Sequence, residues 1–216
     1  MRRYTLVNVI LIVVLFFAYS CKSILVNKVL KTYDESFGEM VPNMLLLDSS
    51  GTQHQYASLH GKVVYLNLWG TWCKPCLEEV PFLNNLDRKL SGDSNIILVN
   101  VCVESEFNAW RQLIRDKKFQ GMHLYLPNDS LYPGLSSQLK IDEGLPHWRI
   151  VDKNGKTLGL NLGPDEGVLT IFALLEARKG TSTRTAIANF LRLAKSSRKN
   201  RSPSGDSFKE FIAKYN

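Results

Sequence analysis

Val63, Val64, Tyr65, Leu66, Asn67, Leu68 and Trp69 form an almost unbroken apolar run, and after Gly70-Thr71-Trp72 a Cys-Lys-Pro-Cys unit opens a stretch with Leu77, Val80, Leu83, Leu86 and Leu90 at helical spacing. A run this apolar suits a strand covered on both faces, which requires helices packed against the sheet it belongs to. The two cysteines, Cys73 and Cys76, therefore fall at a strand-to-helix junction.

The remaining pattern agrees with such a sheet. Residues 44–47 and 53–59 read as two strands around the turn Asp48-Ser49-Ser50-Gly51, a hairpin. Residues 95–103 form a second apolar strand, 105–118 a helix with Ser105 as its N-cap, and 122–126 a third core strand. A short helix over 130–139, a strand over 147–152, a turn at Lys153-Asn154-Gly155, a partner strand over 156–160 and a closing helix over 164–177 complete the order. Strands alternating with helices indicate a largely parallel sheet. At 216 residues the chain has room for one such domain with extensions, but not for two ordinary domains.

Charge narrows the function classes. The net charge is +7, yet eight basic residues and no acidic ones lie between Arg178 and Arg201. That segment exceeds the whole positive excess, so the domain body is close to neutral and gives no support to nucleic-acid binding. The N-terminus is Met1-Arg2-Arg3 followed by an uncharged stretch to Cys21, with Leu6 to Phe17 mostly apolar. Basic residues before a short apolar run are the pattern of an export signal or anchor, with the chain after it on the far side of the membrane, facing the periplasm or the cell exterior. Ala18-Tyr19-Ser20-Cys21 loosely matches a lipoprotein signal acylated on Cys21; a retained signal anchor is the other form of tethering. The expected organisation is thus a signal anchor or lipoprotein signal over 1–21, a connector over 22–41, the domain over 42–178 and a basic C-terminal extension over 179–216.

The Cys-x-x-Cys spacing carries the chemistry. A first cysteine at a helix start can face solvent while the second lies about a turn inward, and both sulfurs can close one disulfide. Unpaired backbone N–H groups and the positive end of the helix dipole stabilise a thiolate on Cys73, the nucleophile, with Cys76 as the buried resolving thiol. Cys73 attacks a partner's disulfide, and Cys76 then displaces the reduced partner. A zinc site would need more ligands than the two remaining cysteines, Cys21 and Cys102, supply at suitable spacing. A purely structural role is weak because a disulfide closing so short a loop stabilises little. Cys102, inside an apolar strand, reads as a core residue.

The run Trp69-Gly70-Thr71-Trp72-Cys73-Lys74-Pro75-Cys76, with Glu79 and Pro81 after it, resembles the active-site segment of the thioredoxin-like superfamily. Gly61-Lys62-Val63-Val64, Gly144-Leu145-Pro146 and Trp148-Arg149-Ile150-Val151-Asp152 make it similar to the membrane-anchored TlpA/ResA-like branch, related to the AhpC/TSA peroxidases. The resemblance implies an α/β thioredoxin-like fold: a central mixed, mostly parallel sheet flanked by helices, with an N-terminal hairpin and an extra strand and helix before the proline loop. It implies a monomeric thiol-disulfide oxidoreductase without cofactor or metal, working as a reductant. The partners implied are protein thiols and disulfides (apocytochrome c or another oxidoreductase) and a membrane electron donor.

Residue by residue, Pro146 matches the proline after a cis peptide bond that faces the cysteine pair, leaving the edge of Leu145 to hydrogen-bond an incoming peptide. Glu79 matches an acid that tunes the thiols, and Pro81 the proline that kinks the active-site helix. Trp72, Lys74 and Pro75 shape the docking surface, Lys74 also favouring the thiolate. Asn67 stands where soluble thioredoxins carry a buried acid and cannot titrate, so a base for Cys76 must be Glu79, a water or His147. Two other activities use the same thiols. A peroxidase normally places its cysteine in Pro-x-x-x-Thr-x-x-Cys, which is missing here, and a non-enzymatic metal or apoprotein chaperone remains open. Beyond Thr181, Ile187, Ala188, Leu191 and Ala194 lie at helical spacing; a solvated extension is expected, with residues 196–207 flexible and 208–215 a short final helix.

Overall fold

The computed structural model describes residues 30–128, 133–198 and 203–216. The expected signal segment over 1–21, the connector as far as 29, residues 130–132 of the expected short helix and 199–202 of the tail lie outside the described residues.

Seven strands, β1 (Leu45–Leu47), β2 (Gln53–Gln55), β3 (Val63–Trp69), β4 (Ile96–Cys102), β5 (Met122–Tyr125), β6 (His147–Val151) and β7 (Thr157–Leu160), form one sheet in the order β2-β1-β5-β4-β3-β6-β7. The pairings β5-β4 and β4-β3 are parallel; β1 joins β5, and β6 joins β3, antiparallel. All seven residues of β3 are buried, as its composition requires at the sheet centre. Successive side chains alternate between faces, so Tyr65, Asn67 and Trp69 point one way and Val64, Leu66 and Leu68 the other. Tyr65 and Trp69 belong to one apolar cluster and Val64, Leu66 and Leu68 to another.

Seven helices are described: α1 (Lys74–Glu78), α2 (Val80–Leu90), α3 (Phe107–Asp116), α4 (Pro133–Leu139), α5 (Val168–Ala177), α6 (Thr183–Arg198) and α7 (Pro203–Tyr215). The apolar row expected to run from Leu77 to Leu90 as one helix is interrupted at Glu79. Pro81 explains the break: it has no N–H to give to the carbonyl of Leu77, and its ring crowds that carbonyl.

Several expectations change. Residues 53–59 do not continue as a strand; after Gln55 the chain turns into a 3-10 helix, Tyr56–Leu59, which drops Tyr56 into the core at 1% exposure. Residues 36–41, read as connector, run along β7, where the Gly38 amide donates to the Thr157 carbonyl at 2.9 Å and the Thr157 amide to the Glu39 carbonyl at 2.8 Å. This satisfies a sheet edge that would otherwise be open.

The tail differs most from expectation. Residues 196–198 end α6 and 203–207 begin α7, so these parts are helical rather than flexible. Phe190, Phe208 and Phe211 surround Phe172 of α5 with ring centroids 5.4, 6.5 and 5.5 Å away. Lys89 of α2 donates to the carbonyl of Asn216 at 2.7 Å, and Arg178 meets Asp93 at 2.8 Å. The aromatic rings pack inward while Arg192, Lys195 and Arg198 of α6 stay exposed, so the basic residues keep their solvation.

Candidate active site

β3 ends at Trp69, and the loop Gly70-Thr71-Trp72 delivers Cys73 to the N-cap of α1. The loop is held from the β4 side. Ser105, expected as the N-cap of the following helix, is not in that position: α3 starts at Phe107 with Glu106 as its N-cap. The Ser105 hydroxyl instead accepts from the Thr71 amide at 2.9 Å and donates to the Val103 carbonyl at 2.9 Å. The Trp72 indole N–H donates to the Glu104 carbonyl at 2.9 Å. Any side chain at Gly70 would meet that indole at 2.9 Å, so the close approach requires glycine.

Cys73 and Cys76 are joined in a disulfide with their Cα atoms 5.3 Å apart. The Cys76 amide donates to Cys73 Sγ at 3.2 Å. This is the N-cap interaction that, in the reduced state, favours a thiolate on Cys73. Cys73 was expected to face solvent, but the residues are 3% and 2% exposed. In the oxidised pair Cys73 packs in the same cluster as Trp69, Val80 and Leu83, its sulfur turned to Cys76 rather than outward. Around this buried pair Trp72 is 59% exposed, and Lys74 and Pro75 are exposed. Lys74 Nζ lies 3.7 Å from Glu78 Oε1 with both groups largely in solvent, a pairing of little energetic weight.

Glu79 sits at the break between α1 and α2, half-buried, with Oε2 buried and unpartnered. Burial first, then the negative charge of Asp165, push its carboxyl up to about 7, while the Trp148 indole opposes the rise. Such a group changes protonation at neutral pH.

The Leu145–Pro146 bond is cis, and Pro146 leads directly into β6. The register places His147 opposite Leu68 and Trp148 opposite Asn67. Pro146 immediately precedes the His147–Leu68 pair, so the cis bond lies toward the end of β3 from which the cysteine loop departs. The same register decides the bases. His147 shares the face of Leu68 and Arg149, opposite to the face of the cysteine cluster, and burial and the Arg149 charge lower its proton affinity. Trp148, which sequence reasoning placed only in a motif, faces the cysteine side; the alternation of β6 from Pro146 onward was the signal that could have found it.

Asn67 Nδ2 donates to Asn100 Oδ1 at 3.0 Å, directly across β3 and β4, and Asn67 Oδ1 has no partner. Asn100 Nδ2 in turn donates to the Gln120 carbonyl at 3.3 Å. A buried amide pair thus stands where an acid would titrate. Cys102 is a free thiol with no exposure, pushed up to about 12 by burial, and remains protonated and unreactive at neutral pH. Among the described residues no group of three or more His, Cys, Asp or Glu is arranged to hold a metal ion, and no helix is long and apolar enough to cross a membrane.

Comparison with known proteins agrees with this geometry. A family model described as Redoxin matches residues 37–175. The thiol-disulfide oxidoreductase ResA of Bacillus anthracis is 30% identical over 137 residues, 58% of this chain and 69% of that protein. The ResA of Geobacillus kaustophilus is 47% identical over 49 residues, which span 23% of this chain and only 28% of that protein. The thioredoxin domain of a thiol-disulfide oxidoreductase from Bacteroides vulgatus superposes with a TM-score of 0.55 at 23% identity, covering 60% of this chain and 91% of that domain, a likeness of fold.

Proposed function

The chain belongs to the redoxin family, and on that premise we propose that it is a thiol-disulfide oxidoreductase that reduces protein disulfides through Cys73 and Cys76. The observation that carries the reading is the disulfide at the start of α1, with the Cys76 amide on Cys73 Sγ and a carboxyl group poised near neutrality one turn beyond Cys76.

The chemistry runs in two displacements. The Cys73 thiolate attacks one sulfur of a client disulfide; that S–S bond breaks, the other client sulfur leaves as a thiolate and takes a proton from solvent. The Cys76 thiol then gives its proton to the Glu79 carboxylate, directly or through water, and attacks Cys73 Sγ. The mixed disulfide breaks, the second client sulfur leaves and is protonated, and two electrons have passed from the cysteine pair to the client. An external dithiol must then reduce Cys73–Cys76. The exposed Trp72 and Pro75 beside the cysteines, with Leu145 and Pro146 of the cis-proline loop, shape the client's approach in this reading.

The N-terminal basic and apolar pattern supports membrane tethering, with the domain in the periplasm or at the cell exterior, a membrane electron donor, and apocytochrome c or another oxidoreductase among the clients. Because the match to the first ResA relative spans so little of that protein, activity, clients and donor are proposals for this chain.

Reduction of insulin disulfides tests the central claim. Cys73→Ser lowers turnover by at least about three orders of magnitude, and Cys76→Ser accumulates a mixed disulfide on Cys73. Unchanged turnover in Cys73→Ser sinks the reading. The equilibrium potential of the pair tests the direction: a value near roughly −270 mV supports a reductant, and one near roughly −120 mV reverses the assignment to an oxidant.

A further inference from the structure

The basic residues that begin at Arg178 divide into two groups. Those nearer the domain are matched by carboxylates: Arg178 by Asp93 at 2.8 Å, Lys179 by Glu176 at 2.6 Å and Arg184 by Asp34 at 3.5 Å. Farther along α6, Arg192, Lys195 and Arg198 are exposed, and among the described residues none of them meets a carboxylate. The chain has no acidic residue between Glu176 and Asp206, so α6 itself carries nothing to neutralise them. Successive helical residues are about 100° apart, which puts Arg184, Ala188, Leu191, Arg192, Lys195 and Arg198 within roughly a third of the circumference. Leu191 lies amid these charges and is 52% exposed. The opposite side of α6 buries Thr183, Ala186 and Ile187. The result is a cationic stripe roughly 20 Å long with one apolar side chain standing out of it.

The stripe starts where the described chain begins. Leu30 packs in the same apolar cluster as Ala186 and Ile187. The Tyr33 carbonyl accepts from the Leu160 amide of β7 at 3.1 Å, and a side chain at Gly159 would collide with both Thr183 and the Tyr33 carbonyl. Asp34 holds Arg184, and Glu35 is held by Lys140 at 3.3 Å. The entry of the chain and the start of α6 are therefore fixed together against β7, the sheet edge. Residues 18–29 separate Leu30 from Phe17, the end of the N-terminal apolar run. Twelve residues reach at most roughly 40 Å, so a bilayer holding that run keeps this edge of the domain close to its headgroups.

We propose that the exposed face of α6 is a second membrane contact, in which Arg192, Lys195 and Arg198 meet anionic lipid headgroups and Leu191 enters the interface between them. The inference rests on the membrane tethering proposed above and does not depend on the exchange chemistry. Unpaired cations on one helix face gain from an anionic surface, whereas the paired Arg178, Lys179 and Arg184 have little left to offer it. An acidic protein would satisfy the same charges, but the shared position of α6 and the chain entry favours the bilayer. Two contacts at one sheet edge restrict how the domain turns about its tether, which a single flexible attachment does not.

The test adds the full chain to preformed vesicles of phosphatidylcholine alone or with phosphatidylglycerol, and measures by mass spectrometry how fast an amine-reactive ester acylates Lys195. Lys117, exposed at the end of α3 beside β5 and far across the sheet from β7, is the internal control. Phosphatidylglycerol slows Lys195 by at least about threefold and leaves Lys117 unchanged. The slowing is lost at high salt and in the double variant Arg192→Gln, Arg198→Gln, whose positions are exposed, so the fold is kept. Equal Lys195 rates on the two vesicles overturn the proposal. So does a slowing that survives both salt and the double variant. Stronger protection of Lys195 by polyglutamate than by anionic vesicles assigns the face to an acidic macromolecule and overturns it too. Flotation with phosphatidylcholine vesicles, which offer α6 no net charge, reads the tether separately. A chain that floats there with equal Lys195 rates keeps its tether and loses the proposed contact. One that does not float there, yet is slowed at Lys195 by phosphatidylglycerol, loses the tether and keeps the contact.

Discussion

On one face of the sheet, β3 and β4 present Val64, Leu66, Leu68, Val99 and Val101, packed with Leu46, Leu124, Leu135 and Leu139 in an almost wholly aliphatic cluster. On the other face the same two strands present Tyr65, Asn67, Trp69, Asn100 and Cys102. Both faces are buried, yet unpartnered polar atoms concentrate on the second: Asn67 Oδ1, Trp69 Nε1, Glu79 Oε2, Trp110 Nε1 and Trp148 Nε1. Each such atom costs stability. The face that pays this cost is the one carrying the cysteines. The aliphatic face holds the sheet together, while the cysteine face gathers the polar and titratable side chains around the disulfide at the expense of unpaired buried atoms.

That division can be broken most strongly from the aliphatic side. Leu66→Ala removes a fully buried side chain at the sheet centre and lowers the unfolding free energy by about 3 kcal/mol. Denaturant titration measures the loss, while the exchange rate of the folded protein stays within about twofold of wild type. A large rate change with the fold retained would show that the two faces are coupled.

A smaller effect comes from giving the cysteine face a second acid. Asn67→Asp removes the donor that satisfies Asn100 Oδ1 and introduces a buried carboxyl. Stability falls by about 2 kcal/mol near neutral pH and recovers as the new acid is protonated. Equal loss at every pH would mean that the position is not buried enough to resist charge.

The smallest expected effect sharpens the contrast by removing an acid. The Glu79 carboxyl has an ordinary value of 4.5 and about 7 in the folded protein, so between these limits the native state holds a proton that the unfolded chain has released. Stability is therefore lost as pH rises from about 4.5 through about 7. Because the side chain is only half-buried and screened by solvent, Glu79→Gln recovers about 1 kcal/mol at pH 8 and little at pH 4. The same variant flattens the pH dependence of mixed-disulfide resolution near 7, where Glu79 titrates. Denaturation midpoints at the two pH values check the sign, and a stabilisation greater at pH 4 than at pH 8 contradicts it.

How far the site could be read from the chain depended on how local each interaction is. Cys73, Cys76 and Pro81 lie within nine residues of each other, and helix geometry alone relates them. Ser105 was misread as a helix cap because its partner, Thr71, is 34 positions away and joins it only when β3 and β4 align. Trp148 and Asp165 escaped for the same reason: one depends on the β6 register, the other on a turn after β7. Tyr56 reads as a strand residue in the sequence because tyrosine favours strands, and only its place in the core shows the 3-10 turn. The many basic residues of the tail read as a solvated extension and mask Phe190, Phe208 and Phe211, whose common target is Phe172 on another helix.

The sequence by itself determined the buried central strand, the reactive pair at the following helix start and the break at Pro81, since these follow from side-chain apolarity, residue spacing and the missing proline N–H. The tertiary structure decided which faces the strands turn to the cysteines, which groups surround Glu79 and where the tail packs. Proton affinity, polar satisfaction and aromatic packing depend on neighbours far apart in the chain, and those neighbours exist only once the sheet has chosen its register.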